Sequence, residues 1–209
     1  MQLHVYPFGP VGANMYVLSF GKEALVIDPC VPYSDTDISD LDVKAIFCTH
    51  AHFDHINEAD SWKSKFSCPI YISSKDKALI SSPETNFASD FGLTISVSSE
   101  MLDFPGNTFT EKDFGITEGE FELKIIPTPG HTSGSVCFLF HFPEEGDIMF
   151  TGDMLFQGSI GRTDLGGSEK DMYASIELLK TLPDSIVCFP GHGPKTKLGL
   201  EKALNPYFR

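Results

Sequence analysis

The sequence predicts a layered α/β fold, an α+β sandwich in which strands dominate. Three observations carry this expectation. Short β-rich runs recur in both halves, each half also carries helical segments, and the two do not alternate as a continuous βαβ series. With 209 residues, 41% of them hydrophobic and 18 of them Phe, the chain can fill one core, expected as a single domain over residues 1–209.

The elements follow in order. QLHVYPF, NMYVLSF and ALVIDP are strand-like runs separated by GPVGAN and by the turn Phe20-Gly21-Lys22. A short helix is expected over Ser34–Leu41, then the strand VKAIFCT. Phe53, Ile56, Ala59 and Trp62 recur every three residues, which predicts one face of a helix over Phe53–Lys65. PIYIS reads as a short buried strand and Ser73–Ile80 as a helix. Residues 81–115 scatter Phe87, Phe91, Phe104, Phe109 and Phe114 among Ser, Asn and Thr without a period. A loop of that length is expected to be a lid, a subunit contact or a layer packed on the core. The second half resumes with FELKIIPT, SVCFLF and DIMFTG, a helix over Ser168–Leu182, and SIVCFP. KLGLEKALNPYFR closes the chain as a short helix with an aromatic tail.

Charge narrows the function. Fifteen Lys+Arg against 29 Asp+Glu give a net charge of −14, which repels phosphodiester backbones and anionic lipid. Nucleic-acid and membrane partners are therefore not expected. The chain is too apolar and aromatic for a disordered acidic tail, and no run approaches the ~18 apolar residues of a membrane span. MQLHVYPFGP lacks the basic start and apolar stretch of a signal peptide. Five Cys, an odd number with no CxxC pair, include Cys48, Cys137 and Cys188 inside apolar runs. They read as reduced, buried thiols, and the chain as cytoplasmic.

The chemistry concentrates in four segments. THAHFDHI supplies His50, His52, Asp54 and His55 directly after the strand AIFCT. Neutral imidazoles with a carboxylate are common ligands for borderline divalent metals. By itself the motif also reads as a polar helix start with Asp54 as N-cap. PTPGHTSGS places His131 after KIIPT, TGDMLFQGSIGRTD places Asp153 after DIMFTG, and FPGHGPKT places His192 after SIVCFP. Each lone residue is weak, but four strand ends each present ligand-competent side chains, using five of the seven His. His4 and His141 read as structural. No Ser-His-Asp arrangement or phosphate-binding Gly loop competes.

In the order and spacing of these motifs, the chain resembles the metallo-β-lactamase superfamily, and within it the small glyoxalase II-like hydrolases. The resemblance runs from Asp28-Pro29 through FPGHGP to the NPYF tail. It implies an αββα sandwich with a dinuclear metal site along one edge of the two sheets. Metal one would sit on His50, His52 and His131, metal two on Asp54, His55 and His192, with Asp153 bridging. It implies two divalent ions, zinc before iron or manganese, and a shared hydroxide oriented by Asp54. The implied substrate is a small anionic thioester or acyl compound such as S-lactoylglutathione. A thiolate leaves with a conjugate-acid pKa of about 8.5 and needs no strong general acid.

Departures from the pattern limit the substrate. The chain ends seventeen residues after His192, without room for the helical domain that helps classical glyoxalase II enzymes bind glutathione. After Asp153 it reads GSIGRTD where those enzymes have a Lys and a Tyr. Arg162 could grip a substrate carboxylate as a bidentate donor, or pair with Asp164. Cys30 stands where the family has Gly. The alternative within the superfamily is a persulfide dioxygenase with one iron on His50, His131 and Asp153; His192 in FPGHGP favours the hydrolase. A non-catalytic metal or redox module would need further ligands, and the ligand set weighs against true β-lactamase activity. Monomer and homo-oligomer both fit the sequence.

Overall fold

The computed structural model describes residues 1–38 and 40–209. Five strands form the first sheet: β1 (Gln2–Phe8), β2 (Ala13–Phe20), β3 (Glu23–Ile27), β4 (Asp42–Phe47) and β5 (Ile70–Tyr71), paired in that order. The first two pairings are antiparallel and the last two parallel. Parallel neighbours need crossovers. That between β4 and β5 contains α1 (Phe53–Ile56) and α2 (Ala59–Phe66). The second sheet uses β6 (Thr108–Thr110), β7 (Glu122–Pro127), β8 (Val136–Phe142) and β9 (Gly146–Gly152). After the small hairpin β10 (Leu155–Phe156) and β11 (Ser159–Ile160) comes α3 (Glu169–Lys180). Then β12 (Val187–Pro190) and β13 (Thr196–Lys197) complete the sheet, ordered β13-β12-β9-β8-β7-β6. Helix α3 is the crossover that lets β12 lie parallel to β9, and α4 (Leu198–Leu204) packs near the end of the chain.

Side-chain alternation sorts these elements into four layers. Every residue of β2 is buried, with period two deciding which layer each enters. Met15 and Val17 join Ile56, Ala59 and Trp62 of the first helical layer. Tyr16, Leu18 and Phe20 face the other sheet, meeting Leu123, Phe138, Phe140 and Phe150. On the far side, Cys137 and Met149 pack under Met172, Ile176 and Leu179 of α3 and Leu198 of α4. This is the expected αββα sandwich. Ser168 caps α3 by accepting from the Asp171 N–H, and all five Cys are free and buried, Cys48, Cys137 and Cys188 as their apolar runs implied.

Three helices depart from expectation. The segment Phe53–Lys65 is broken into α1 and α2, because Asn57 donates to the Cys30 carbonyl and the Glu58 N–H to that of Pro29. Residues 73–80 form turns, tied by three-residue-span bonds such as Asp76 N–H to Ser73 O. The helix expected over Ser34–Leu41 reduces to a single 3₁₀ turn at Tyr33–Asp35; Ser39, within the expected span, lies outside the described residues. Residues 81–115 divide. Ala88, Val97 and Met101 are buried and Phe104, Phe109 and Phe114 lean on the inter-sheet core, while Phe87 and Phe91 turn towards the cavity described below.

The inter-sheet layer should hold most of the stability. Phe138→Ala, at a position with 0% exposure, is expected to cost about 3–5 kcal/mol in a denaturant titration. Leu204→Ala, 68% exposed, should stay within about 0.5 kcal/mol.

Candidate metal centre

All seven candidate side chains converge at one edge of the sandwich, beyond the carboxyl ends of β4, β7, β9 and β12. Ligands of α/β sheets gather at such ends because the strands fix the start of each loop. Strand β4 stops at Phe47, so strand alternation does not place His50 and His52; the turn into α1 does. His52, with extended backbone, occupies the N-cap position and makes no side-chain cap bond; Asp54 lies in the first turn and faces the cluster. The alternative reading of Asp54 as N-cap is thus not what the fold uses.

Ligand-competent atoms form three overlapping groups, each within 4.8 Å: His50, His52 and His131; Asp54, His55 and His192; and His50, His55 and Asp153. Asp153 stands between the first two, 3.3 Å from His131 Nε2, 3.3 Å from His55 Nε2 and 3.4 Å from His192 Nε2. Asp54 lies 3.3 Å from His192 Nε2 and 3.7 Å from His55 Nε2. Among the described residues, buried His50 Nε2, His131 Nε2 and Asp153 Oδ1 have no hydrogen-bond partner. Such atoms are costly unless something electron-poor meets them, and a divalent cation fits this mixed N/O set.

The opposite ring nitrogens are all occupied. Asp28 accepts from His55 Nδ1 at 2.9 Å, and from Thr49 N–H and hydroxyl, both at 2.7 Å. The Thr49 oxygen in turn lies 3.0 Å from His50 Nδ1. His131 Nδ1 donates to the Arg162 carbonyl at 2.7 Å, and His192 Nδ1 to that of Val11 at 3.1 Å. In the neutral imidazoles these bonds place the proton on the outer nitrogen and leave Nε2 free to face inward. His52 is reversed, its Nε2 3.3 Å from the Leu165 carbonyl.

Burial and charge divide the histidines. Burial, then the facing His55, His52 and His131, holds His50 well below its ordinary pKa. Burial and His131 push His52 down to about 3. For His55 burial opposes the charge, but Asp54, Asp153 and Asp28 outweigh it and raise the pKa well above normal. His192, also opposed by burial, is raised to about 9 by its bonds to Asp153 and Asp54. Burial would raise both carboxylates; His55 and His192 overcome it and hold Asp153 well below and Asp54 below the usual carboxylate range.

Two residues here escaped the sequence reading. Asp28 was visible only as the start of a turn. Asp76, 0% exposed, accepts from Ala51 N–H (3.1 Å), Thr132 hydroxyl (2.7 Å) and Gly134 N–H (2.7 Å). It thereby joins the His50–His52 loop to the His131 loop. Arg162 takes the pairing alternative: its Nε and Nη2 lie 2.6 and 2.5 Å from the two Asp164 oxygens. His4 and His141 lie away from the cluster, against Ser19 and Asp147.

Two outcomes test this geometry. In Asp28→Asn, Asn tolerates the left-handed backbone (φ 53°). An amide nitrogen facing His55 Nδ1 would reverse the tautomer of the neutral ring, so that the proton left after one is displaced sits on Nε2. Zinc affinity measured against a competing chelator should fall about 10–100-fold. Second, His55 and His192 are protonated near neutrality, so zinc binding at pH 7 should release about two protons. As pH rises through about 9, that number should fall, measurable by calorimetry in buffers of different ionisation enthalpy.

The metallo-beta-lactamase superfamily profile matches residues 8–192. Over 207 residues the chain is 35% identical to the probable metallo-hydrolase YqgX of Bacillus subtilis, covering 96% of this chain and 94% of that protein. It is 37% identical over 172 residues to the hydroxyacylglutathione hydrolase GloC of Haemophilus influenzae, covering 80% and 77%. Among solved structures, the BLEG-1 B3 metallo-beta-lactamase superposes with a TM-score of 0.84 at 35% identity over 99% of both chains. TTHA1623 in a di-iron-bound form superposes at 0.81 and 31% identity, over 98% of this chain and 99% of that one. The chain belongs to the metallo-beta-lactamase superfamily.

Proposed function

We propose that the protein is a dinuclear metal-dependent hydrolase of small thioesters or related acyl compounds. One observation carries the reading: the two groups of inward-facing ligand atoms, His50–His52–His131 and Asp54–His55–His192, flank Asp153, which lies 3.3 Å from both His131 Nε2 and His55 Nε2, and they open, beside Asp54, on a cavity of about 400 Å³. In this reading His50, His52 and His131 would hold one cation and Asp54, His55 and His192 the other, with Asp153 available to both. The di-iron form of TTHA1623 and the hydrolase descriptions of YqgX and GloC support it. Zinc, iron and manganese all suit the donor set.

Two divalent cations, when bound, supply a nucleophilic hydroxide at neutral pH and polarise a carbonyl oxygen. The chain's own residues do the rest. Asp54 is ionised at neutral pH, because burial's upward push is overcome by His55 and His192. Lining the cavity, it can accept a hydrogen bond from the attacking water and fix its direction. Asp28 and Thr49 hold His55 and His50, and Asp76 keeps the two His-bearing loops in register. A thiolate leaves without a proton donor, so a thioester suits a cavity whose wall shows no free acid beyond the cluster.

The native protein should contain about two metals per chain by elemental analysis. Asp54→Asn should lower thioester kcat/KM on the order of 10²–10⁴-fold with an unchanged circular dichroism spectrum. Full activity in that variant would overturn the role given to Asp54. A single iron with persulfide-dependent O₂ uptake would replace the hydrolase with the mononuclear alternative on His50, His131 and Asp153. Cleavage of a β-lactam in preference to any thioester would move the substrate to that of the B3 enzymes.

A further inference from the structure

The wall of the cavity is apolar to a degree that anion recognition does not explain. Phe53, Phe87, Phe91 and Phe156 line it together with Ile160 and Leu165. Phe87 stands edge-on to His52 at 5.1 Å between ring centroids, and Phe53 meets Phe91 at 5.0 Å. Phe87 adopts a left-handed backbone (φ 67°), unusual for an aromatic residue. The fold holds it there through buried Asn86, which donates to the Ile95 carbonyl and accepts from Ala88 N–H. The Asn86 carbonyl also receives the Phe53 N–H. The ring is thus fixed against a candidate ligand side chain at the expense of local strain. Phe91, also lining the cavity, is 51% exposed.

Cation content points the same way. Arg162 is the one Lys or Arg among the lining residues, and two of its three nitrogens face Asp164. Asp90 also acts on its charge. An exposed pair of this kind opens at little cost, but opening it leaves the same local charge. Away from the metal cluster, a negatively charged substrate group would meet one guanidinium shared with two carboxylates. A neutral aromatic group would have four Phe rings to pack on, and aromatic pairs prefer offset and edge-on contacts.

Resting on the hydrolase reading above, we propose that the site selects an uncharged thioester whose acyl group carries an aromatic ring, seated between Phe87 and Phe156, rather than an anionic glutathione conjugate. Water adds its oxygen to the acyl carbon and the C–S bond breaks, releasing the carboxylate that carries the aromatic ring, the thiol and one proton, with no further reactant.

The metal-loaded protein is assayed on S-phenylacetyl-N-acetylcysteamine, S-acetyl-N-acetylcysteamine and S-lactoylglutathione. The phenylacetyl compound should lead both others in kcat/KM by about 10–100-fold. Phe87→Ala and, independently, Phe156→Ala should each remove most of that lead over the acetyl compound. Asp164→Ala should shift the ratio towards S-lactoylglutathione by about fivefold or more. The uncleavable phenethyl thioether of N-acetylcysteamine should bind even the metal-free chain in calorimetry, more tightly than S-methylglutathione does. A preference for S-lactoylglutathione that Arg162→Ala abolishes would overturn the aryl proposal and leave the hydrolase reading intact. Thioether binding without cleavage of any thioester would keep the apolar pocket and sink the thioesterase reading. Neither binding nor cleavage would sink both.

Discussion

Asp28 sits at the end of β3 in a left-handed backbone, 1% exposed, and accepts from the Thr49 amide, the Thr49 hydroxyl and His55 Nδ1. Its conformation costs on the order of 1–3 kcal/mol. Hydrogen bonds to a buried carboxylate are worth roughly 1.5–3 kcal/mol each, so the three together outweigh the strain. What they determine is orientation. His55 is held directly and His50 through Thr49, so one carboxylate just after β3 aims one histidine of each proposed cation site. Because β3 and β4 pair in parallel register from Leu25 to Ile27, that aim is referred to a fully buried part of the first sheet.

The second sheet is brought to the same edge by other bonds. Asn14 on β2 donates to the carbonyls of Pro190 and Gly193, and the Tyr16 hydroxyl to that of Pro190. The Val136 N–H of β8 reaches the Thr49 carbonyl. Asp76 completes the frame between the His50–His52 and His131 loops. Such close approach needs residues without side chains at two points. A Cβ on Gly191 would lie 2.2 Å from Asp153 Oδ1, and one on Gly152, whose φ is +47°, 2.5 Å from Thr49 Oγ1. Both glycines therefore belong to the geometry of the cluster as much as the ligands do.

The cluster was legible in the sequence because its members are chemically unusual and follow apolar runs that can only be strands. HxHxDH after AIFCT, and single His or Asp residues after KIIPT, DIMFTG and SIVCFP, needed no tertiary information. The layers followed from the same runs. Asp28 and Asp76 were not legible, because their partners lie 21 to 58 residues away in sequence and each stands in an ordinary polar turn. The missed turn at 73–80 has the same origin, since its charged residues suit a helix while Asp76 is engaged by two distant loops. Phe87 shows the limit from another side. Its aromatic character was evident, but its left-handed φ depends on Asn86, Phe53 and Ile95 meeting in space.

Stability and function occupy different layers of this molecule. Between the sheets, Phe20, Phe47, Phe138, Phe140 and Phe150 are each at most 2% exposed and meet at centroid distances such as 5.6 Å for Phe47 and Phe138 and 5.8 Å for Phe140 and Phe150. Burying a side chain of that size contributes roughly 1.5–3 kcal/mol. At the edge, the chain instead gathers five imidazoles and two carboxylates, leaves three of their buried atoms unpartnered and strains Phe87. Buried polar atoms without partners oppose folding, so the edge is tolerated only because the rigid aromatic layer behind it is not compromised. A fold that placed the same residues on mobile loops would let them reach water and one another, and the inward aim of the Nε2 atoms would be lost. The aromatic layer is therefore a condition of the chemistry even though none of its rings touches the cluster, and local agreement between sequence and structure fails first where function requires it to.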